Sequence, residues 1–250
     1  MEAGCSRPSR SLATARHADG PGRSEQCRSR TPRDHGWTDC CLGSLGEALR
    51  RVAVALPASL RVTAVGRLRP SIAKPRTDSY CPGVKIYISA DMEGVAGVVT
   101  DAQLGPEGFA WRDACELYTE EVLAVIDELR SAGATDITVS DSHGTGLNLK
   151  IERMPAGVRL VQSWPRRLGM MEGIDASYDG AILLGYHAGS HNPRGVRAHT
   201  MSSANVFDVA LNGAKVCEAE LSGYIAAHFK VPILMLSGDD AICAEIAASL

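Results

Sequence analysis

A chain of 250 residues with 45% hydrophobic and 22% charged side chains has the composition of a globular protein and the length of one large domain or two small ones. The longest apolar runs, such as 52–57 and 231–236, fall far short of the ~20 residues a membrane-spanning helix needs, which excludes a helical membrane span. The net charge of −3 conceals a break: residues 1–80 hold 14 Lys+Arg against 7 Asp+Glu, an excess of +7, whereas residues 81–250 hold 12 against 22, an excess of −10.

The first segment is rich in Arg, Ser, Ala, Gly and Pro, and 13 of its 14 basic residues are Arg. It shows no sustained apolar period before Leu45. It carries too many acids for an organelle transit peptide and too long an n-region for a signal sequence, and it lacks the clustered basic residues of a nucleic-acid-binding arm. Residues 1–83 are therefore expected to be a disordered or mis-annotated extension that packs little against the remainder. The eight cysteines, at 5, 27, 40, 41, 81, 115, 217 and 243, form no CxxC pair. They match neither a zinc knuckle nor a disulfide scaffold, so a reduced, cytoplasmic setting is expected.

From Val84 the pattern becomes regular. Residues 84–90 are β-branched, aromatic and apolar, as a strand covered on both faces should be. Pro106 is expected to open a helix whose apolar residues recur at spacings of three and four up to Gly133. A second strand over 136–140 completes a strand–helix–strand unit, which implies a right-handed parallel crossover. Further strands are expected at 160–163, 181–186 and 231–236. Asn212-Gly213 between two short alternating runs signals a hairpin with a type I′ turn inside 206–216. Residues 218–229 read as a helix, and Asp239 as the cap of a last one. The expected fold is α/β: a mostly parallel, Rossmann-like sheet with helices on both faces, plus a β-hairpin.

The chemistry lies at the strand ends. The first strand runs into Asp91-Met92-Glu93, the second into Ser140-Asp141-Ser142-His143 and the third into Tyr186-His187, while Glu218 heads a helix. Taken singly, each has a plain structural reading: Asp91 or Asp141 as a cap, His143 in a turn, His187 as a hydrogen-bonded core residue, Glu218 as a first-turn acid favoured by the helix dipole. Taken together, they put three carboxylates and two imidazoles around one edge of a parallel sheet, where open α/β sheets bind ligands. Mixed Asp/Glu/His ligation suits zinc, manganese or iron, and five such groups exceed what one catalytic zinc requires. A two-metal centre with a bridging carboxylate fits the count. His191, before Asn192-Pro193, reads as a turn residue. Asp141, Asp239 and Asp240 are expected to orient the histidines.

Six blocks carry a resemblance: SADMEG at 89–94, SDSHG at 140–144, LGYHA at 184–188, AHTMS at 198–202, LNGAKVCEAEL at 211–221 and VPILMLSGDD at 231–240. In order and spacing, residues 84–250 resemble peptidase family M55, the DppA-like zinc-dependent D-aminopeptidases. The resemblance implies two zinc ions per subunit, short D-amino-acid peptides such as D-alanyl dipeptides as substrates, and a ring-shaped homo-oligomer. It implies neither a nucleic-acid partner nor a membrane. It places the metal ligands on Asp91 as the bridge, Glu93, His143, His187 and Glu218, and the catalytic histidine on His199. Family members usually begin at the first strand and continue past the GDD block, so the expected unit is 84–250, a metallopeptidase domain truncated at its C-terminal end. Two alternatives stay open: an inert metal-binding fragment, and a binuclear hydrolase of another small substrate. GxGxxG and GxxxxGK[ST] are absent, so no motif supports nucleotide binding.

Overall fold

The computed structural model describes Glu47, Arg61–Thr63 and residues 83–249. Most of the leader expected to stay apart from the domain lies outside the described residues. Arg61–Thr63 departs from that expectation, because this short strand, β1, pairs antiparallel with the edge of the sheet.

The remaining strands of the main sheet are β2 (Val84–Ala90), β3 (Ala134–Asp141), β4 (Val158–Val161), β5 (Gly180–Tyr186) and β8 (Ile233–Gly238). These five run parallel to one another, with β1 antiparallel at the β8 edge, in the order β1-β8-β5-β2-β3-β4. The chain builds outward from β2 through β3 to β4, then returns to the other side of β2 for β5 and β8. That reversal beside β2 is a topological switch point, the place where crossover connections diverge and leave a crevice at the carboxyl ends. A separate two-stranded hairpin joins β6 (Ala210–Leu211) to β7 (Ala214–Lys215). Its turn residues Asn212 and Gly213 have φ of 53° and 84°, and two positive φ values are what a type I′ turn requires.

Helix α1 (Trp111–Ser131) covers one face of the sheet; α2 (Glu218–His228) and α3 (Asp240–Ser249) cover the other. Alternation along the strands divides the core accordingly. Ile86, Ile88 and Ala90 of β2 pack with Tyr118, Val122 and Ile126 of α1, while Tyr87 joins Leu183, Ala219 and Ile242 on the opposite side. α1 begins at Trp111, later than Pro106 suggested. Residues 105–111 first make two successive turns, with Gly108 N–H donating to the Gly105 carbonyl (2.8 Å) and Trp111 N–H to the Gly108 carbonyl (3.2 Å). Gly108 lies so near Ala102 that a Cβ there would fall 2.2 Å from its carbonyl oxygen. The fourth strand ends at Val161 because Ser163 adopts φ of 64°, outside the extended region. Among the described residues no helix is long and apolar enough to cross a membrane.

Candidate metal centre

The carboxyl end of β2 is clamped on both sides before it delivers its acids. Asp91 N–H donates to the Leu184 carbonyl and Ser142 N–H to the Ala90 carbonyl, both at 2.8 Å, so the ends of β5, β2 and β3 are fixed to one another. Beyond Ala90 the chain turns at once instead of staying extended, with Val95 N–H bonded back to the Met92 carbonyl (3.1 Å). Asp91 and Glu93 still share one side, because Met92 between them is wholly buried in the α1-side core. Close approach needs glycine at two points: a Cβ on Gly94 would fall 2.1 Å from the Tyr186 carbonyl oxygen, and one on Gly185 2.2 Å from that of Asp91.

All six residues that the sequence singled out converge there. Asp91, Glu93 and His143 offer ligand atoms within 4.8 Å of one another, as do Asp91, His187 and Glu218, and as do Glu93, His187 and His199. Asp91 joins the first two sets, and its two oxygens divide between them. Oδ1 lies 3.3 Å from His143 Nδ1, and Oδ2 lies 3.4 Å from His187 Nε2. His187 Nε2 is also 3.4 Å from Glu218 Oε1. These separations are long for hydrogen bonds but match the edge of a metal tetrahedron, since bonds of about 2.0–2.1 Å place neighbouring ligand atoms about 3.3–3.4 Å apart. The shorter His143 Nδ1 to Glu93 Oε2 contact, at 2.8 Å, is a hydrogen bond. Asp91 Oδ2 is buried with no hydrogen-bond partner, an orphaned anionic oxygen of the kind a cation satisfies.

Each imidazole is held by a backbone carbonyl on its far side. His143 Nε2–H donates to Leu104 (2.7 Å), His187 Nδ1–H to Ala188 (3.0 Å) and His199 Nδ1–H to Arg197 (2.9 Å). Such a bond fixes the orientation of the ring and aims the other nitrogen at the carboxylates. The carbonyls thus take over what Asp141, Asp239 and Asp240 were expected to do, and that expectation is corrected. Asp141 instead accepts the N–H groups of Asn148 (2.6 Å) and Leu149 (2.8 Å), and the Asn148 amide reaches the His143 carbonyl (2.8 Å). Asp239 caps α3 through Ile242 N–H (2.9 Å) and receives Val196 N–H (2.8 Å). Asp240 is the first residue of α3. A carboxylate is drawn to unsatisfied N–H groups at turns and helix starts, and Asp141 and Asp239 obey that preference.

His199 differs from the other two histidines. Its ring stacks on His187 with centroids 3.9 Å apart, and its Nε2 stands 3.7 Å from Glu93 Oε1 and 3.8 Å from Glu218 Oε1. Its side chain is 16% exposed against 2% for His187, so it borders the opening of the cluster. Glu218 opens α2 and accepts Met201 N–H at 2.5 Å, which ties the 199–201 stretch to the site.

The electrostatics of the cluster call for positive charge. Burial, reinforced by the neighbouring Glu93 carboxylate, pushes Asp91 up to about 7. Burial disfavours charge on His143 and His187 as well, but the surrounding carboxylates outweigh it and push them up to about 11 and about 10. Burial works against Glu93 and Glu218 too, and the adjacent imidazoles overcome it and hold both carboxyls low. Buried acids that retain protons or recruit imidazolium lack a counter-cation, and a divalent metal supplies one without a proton. The donor set, three carboxylates with imidazole nitrogens, fits zinc.

Sequence reasoning missed the side chains that hold the His143 loop. Arg166 Nη2 donates to the Asp141 and Val161 carbonyls (2.7 and 3.2 Å) and Nη1 to Ser140 Oγ (2.9 Å), and Trp164 Nε1 reaches the Gly144 carbonyl (2.8 Å). No local pattern marks an Arg as the partner of a backbone carbonyl 25 residues upstream, that of Asp141, so nothing in the sequence could have found it.

Comparison with known proteins gives the family. The M55 peptidase family, described as D-aminopeptidase, matches residues 84–250. A D-aminopeptidase of Bacillus subtilis (strain 168) is 34% identical over 165 residues, covering 65% of this chain and 58% of the relative. The solved structure of the Zn-dependent D-aminopeptidase DppA from Bacillus subtilis, described as a self-compartmentalizing protease, superposes with a TM-score of 0.61 at 32% identity, covering 66% of this chain and 60% of that one. The chain therefore spans about three fifths of the length of these relatives.

Proposed function

Because the chain belongs to the M55 family of D-aminopeptidases through residues 84–250, we propose that it is a binuclear zinc aminopeptidase that releases the N-terminal D-residue of short peptides such as D-alanyl dipeptides. The observation that carries the reading is the division of the Asp91 carboxylate, with Oδ1 facing the Glu93/His143 set and Oδ2 facing the His187/Glu218 set. A carboxylate has two oxygens and can bridge two ions, whereas an imidazole with one nitrogen already committed to a carbonyl can serve one.

Zinc bound there polarises a scissile carbonyl and lowers the pKa of a coordinated water. The protein's own contribution is placement. Asp91, Glu93, His143, His187 and Glu218 form the floor of the site, with both histidines and Glu218 fixed by backbone contacts and Glu93 held by the His143 ring. His199 stands at the opening with Nδ1–H fixed on a carbonyl, so its Nε2 is free to take a proton from the attacking water side and return it to the leaving amine. Its ring is stacked on a ligand ring, which holds Nε2 in one direction.

By the same reading the protein assembles as a homo-oligomer, in keeping with the relative's description as self-compartmentalizing. Phe109, between Glu93 and His143 in the chain, and Phe207, between His199 and Glu218, are 93% and 94% exposed and supply apolar surface for such contacts.

The test is release of D-Ala from D-Ala-D-Ala and of L-Ala from L-Ala-L-Ala, with and without added zinc. Preferential, zinc-dependent cleavage of the D-peptide is expected. Equal cleavage of both, or cleavage indifferent to zinc and chelator, would overturn the assignment.

A further inference from the structure

Just short of the strand-end ligands a chain of buried hydroxyl groups crosses the sheet, and no step of the proposed reaction uses it. Ser222 Oγ lies 3.0 Å from the Tyr186 hydroxyl, which lies 2.7 Å from Ser89 Oγ; Ser89 Oγ is 3.0 Å from Ser142 Oγ, and Ser142 Oγ is 3.0 Å from Ser140 Oγ. All five residues are buried. Arg166 closes one end by donating Nη1–H to Ser140 Oγ at 2.9 Å, and the Met170 carbonyl stands beside the middle, 3.0 Å from Ser89 Oγ and 2.8 Å from Ser142 Oγ.

The members of the chain sit where the ligands are attached. Tyr186 directly precedes His187, Ser142 directly precedes His143, and Ser89 stands two residues before Asp91. Ser222 comes four residues after Glu218, which puts both on one side of α2. For the strands the hydroxyls repeat what the sheet already does, because the backbone ladder fixes β2 to β3 and to β5. For α2 they do not. The helix packs on the sheet through the small apolar side chains of Ala219 and Ala226. Apolar contact is non-directional, so it sets the spacing of helix and sheet but neither the slide nor the rotation of the helix. A hydrogen bond to a fixed phenol restrains both, and Ser89 holds that phenol from the β2 side. Core packing alone does not call for hydroxyls here, since apolar groups of the same shape in place of both partners would leave nothing to satisfy.

We propose that Tyr186 and Ser222 are positioning residues, whose hydrogen bond sets where α2 presents Glu218 to His187 and Asp91 and with it the zinc affinity of that half of the centre. The proposal rests on reading the cluster as a zinc centre. Glu218 Oε1 keeps a spacing of 3.4 Å from His187 Nε2. Metal–ligand distances tolerate only about 0.2 Å of error, so a small slide of α2 is enough to spoil that half-site.

Zinc titration of the metal-free full chain against a competing chelator, read beside calorimetry, separates positioning from stability. Tyr186→Phe keeps the ring, and Ser222→Ala places the best helix former in α2, so each removes one hydroxyl and little else. Each should weaken zinc binding at one equivalent by about tenfold or more. The double variant should lose no more than the larger single loss, because the two hydroxyls share one bond. Tyr178→Phe is the matched control. It removes another buried phenol hydroxyl, one that donates to Thr138 Oγ1 at 2.8 Å before the start of β5 and away from its ligand end, and it should leave zinc affinity as in the parent. Unchanged affinity in Tyr186→Phe or in Ser222→Ala would overturn the proposal, as would losses that add in the double variant or an equal loss in Tyr178→Phe. A parent that takes up zinc and releases D-Ala, with variants that bind zinc as tightly, removes the positioning role and leaves the proposed activity standing. A parent that takes up no zinc removes both.

Discussion

Two residues at the centre of the site are expected to fail in different ways. Asp91 holds both halves of the cluster through its two oxygens, so Asp91→Ala should remove bound zinc and activity together. His199 sits farther from its carboxylate neighbours, at 3.7 and 3.8 Å, and only its Nδ1 side is engaged. His199→Ala should therefore leave zinc content within about a tenth of the parent while cutting turnover by ~10²- to 10⁴-fold, the usual contribution of a proton-transfer group. Zinc analysis beside a D-Ala-D-Ala assay reads both. Loss of an equivalent of zinc in His199→Ala would make that residue a ligand. At this scale the sequence was informative about side chains that carry chemistry, since Asp, Glu and His at strand ends are conspicuous. It was silent about the groups that aim them, because the Leu104, Ala188 and Arg197 carbonyls belong to residues whose identity says nothing about their backbone.

Strands were more legible than the connections between them. The runs at 84–90 and 181–186 are apolar throughout because both faces are covered, and the structure places strands there with at most one residue of difference. Helix α2 starts at Glu218 as read from the sequence, and Asp239 caps α3 as expected. The start of α1 was misread because Pro106 suits a first helical turn equally well as an isolated turn, and only the contact of Gly108 with Ala102 decides between them. The loop after β3 shows what such connections depend on. Arg166 holds it by hydrogen bonds to Ser140 Oγ and to the Asp141 and Val161 carbonyls, and its Nε donates to Ser163 O at 2.8 Å. Arg166→Met strands those acceptors, at a cost of about 2–4 kcal/mol. In a chain of this size that lowers Tm by about 5–15 °C, and zinc affinity should fall by about 10- to 100-fold as His143 loosens. Arg166→Lys should recover little, because an ammonium cannot reproduce the fork. Calorimetry and zinc titration would measure the two effects. A variant that loses stability but keeps full zinc affinity would show that the loop holds His143 without the guanidinium.

For the molecule as a whole, the site joins the ends of β2, β3 and β5 to α2, so metal occupancy and folding stability must be linked. An ion present at a thousandfold over its Kd adds about 4 kcal/mol, which corresponds to a rise in Tm of about 8–16 °C for a domain of this size. The pH dependence of that gain has a definite sign. In the metal-free protein His143 and His187 are raised to about 11 and about 10, so their contribution to stability is fully present below an unfolded pKa near 6.5 and is lost as pH climbs through those values. Asp91, raised to about 7, shifts the same way at lower pH, since a carboxyl that keeps its proton when folded favours the fold most where it is protonated. Zinc reverses this, because it needs neutral imidazoles and an ionised Asp91 and must displace those protons to bind. Each proton displaced adds about 1.4 kcal/mol per pH unit to the difference between the loaded and chelated forms. Scanning calorimetry of the two forms from pH 6 to pH 9 should therefore show the chelated protein weakening and the gap in Tm widening as pH rises. A gap that stays constant across that range would mean that zinc displaces no protons, and so that His143 and His187 are not where it binds.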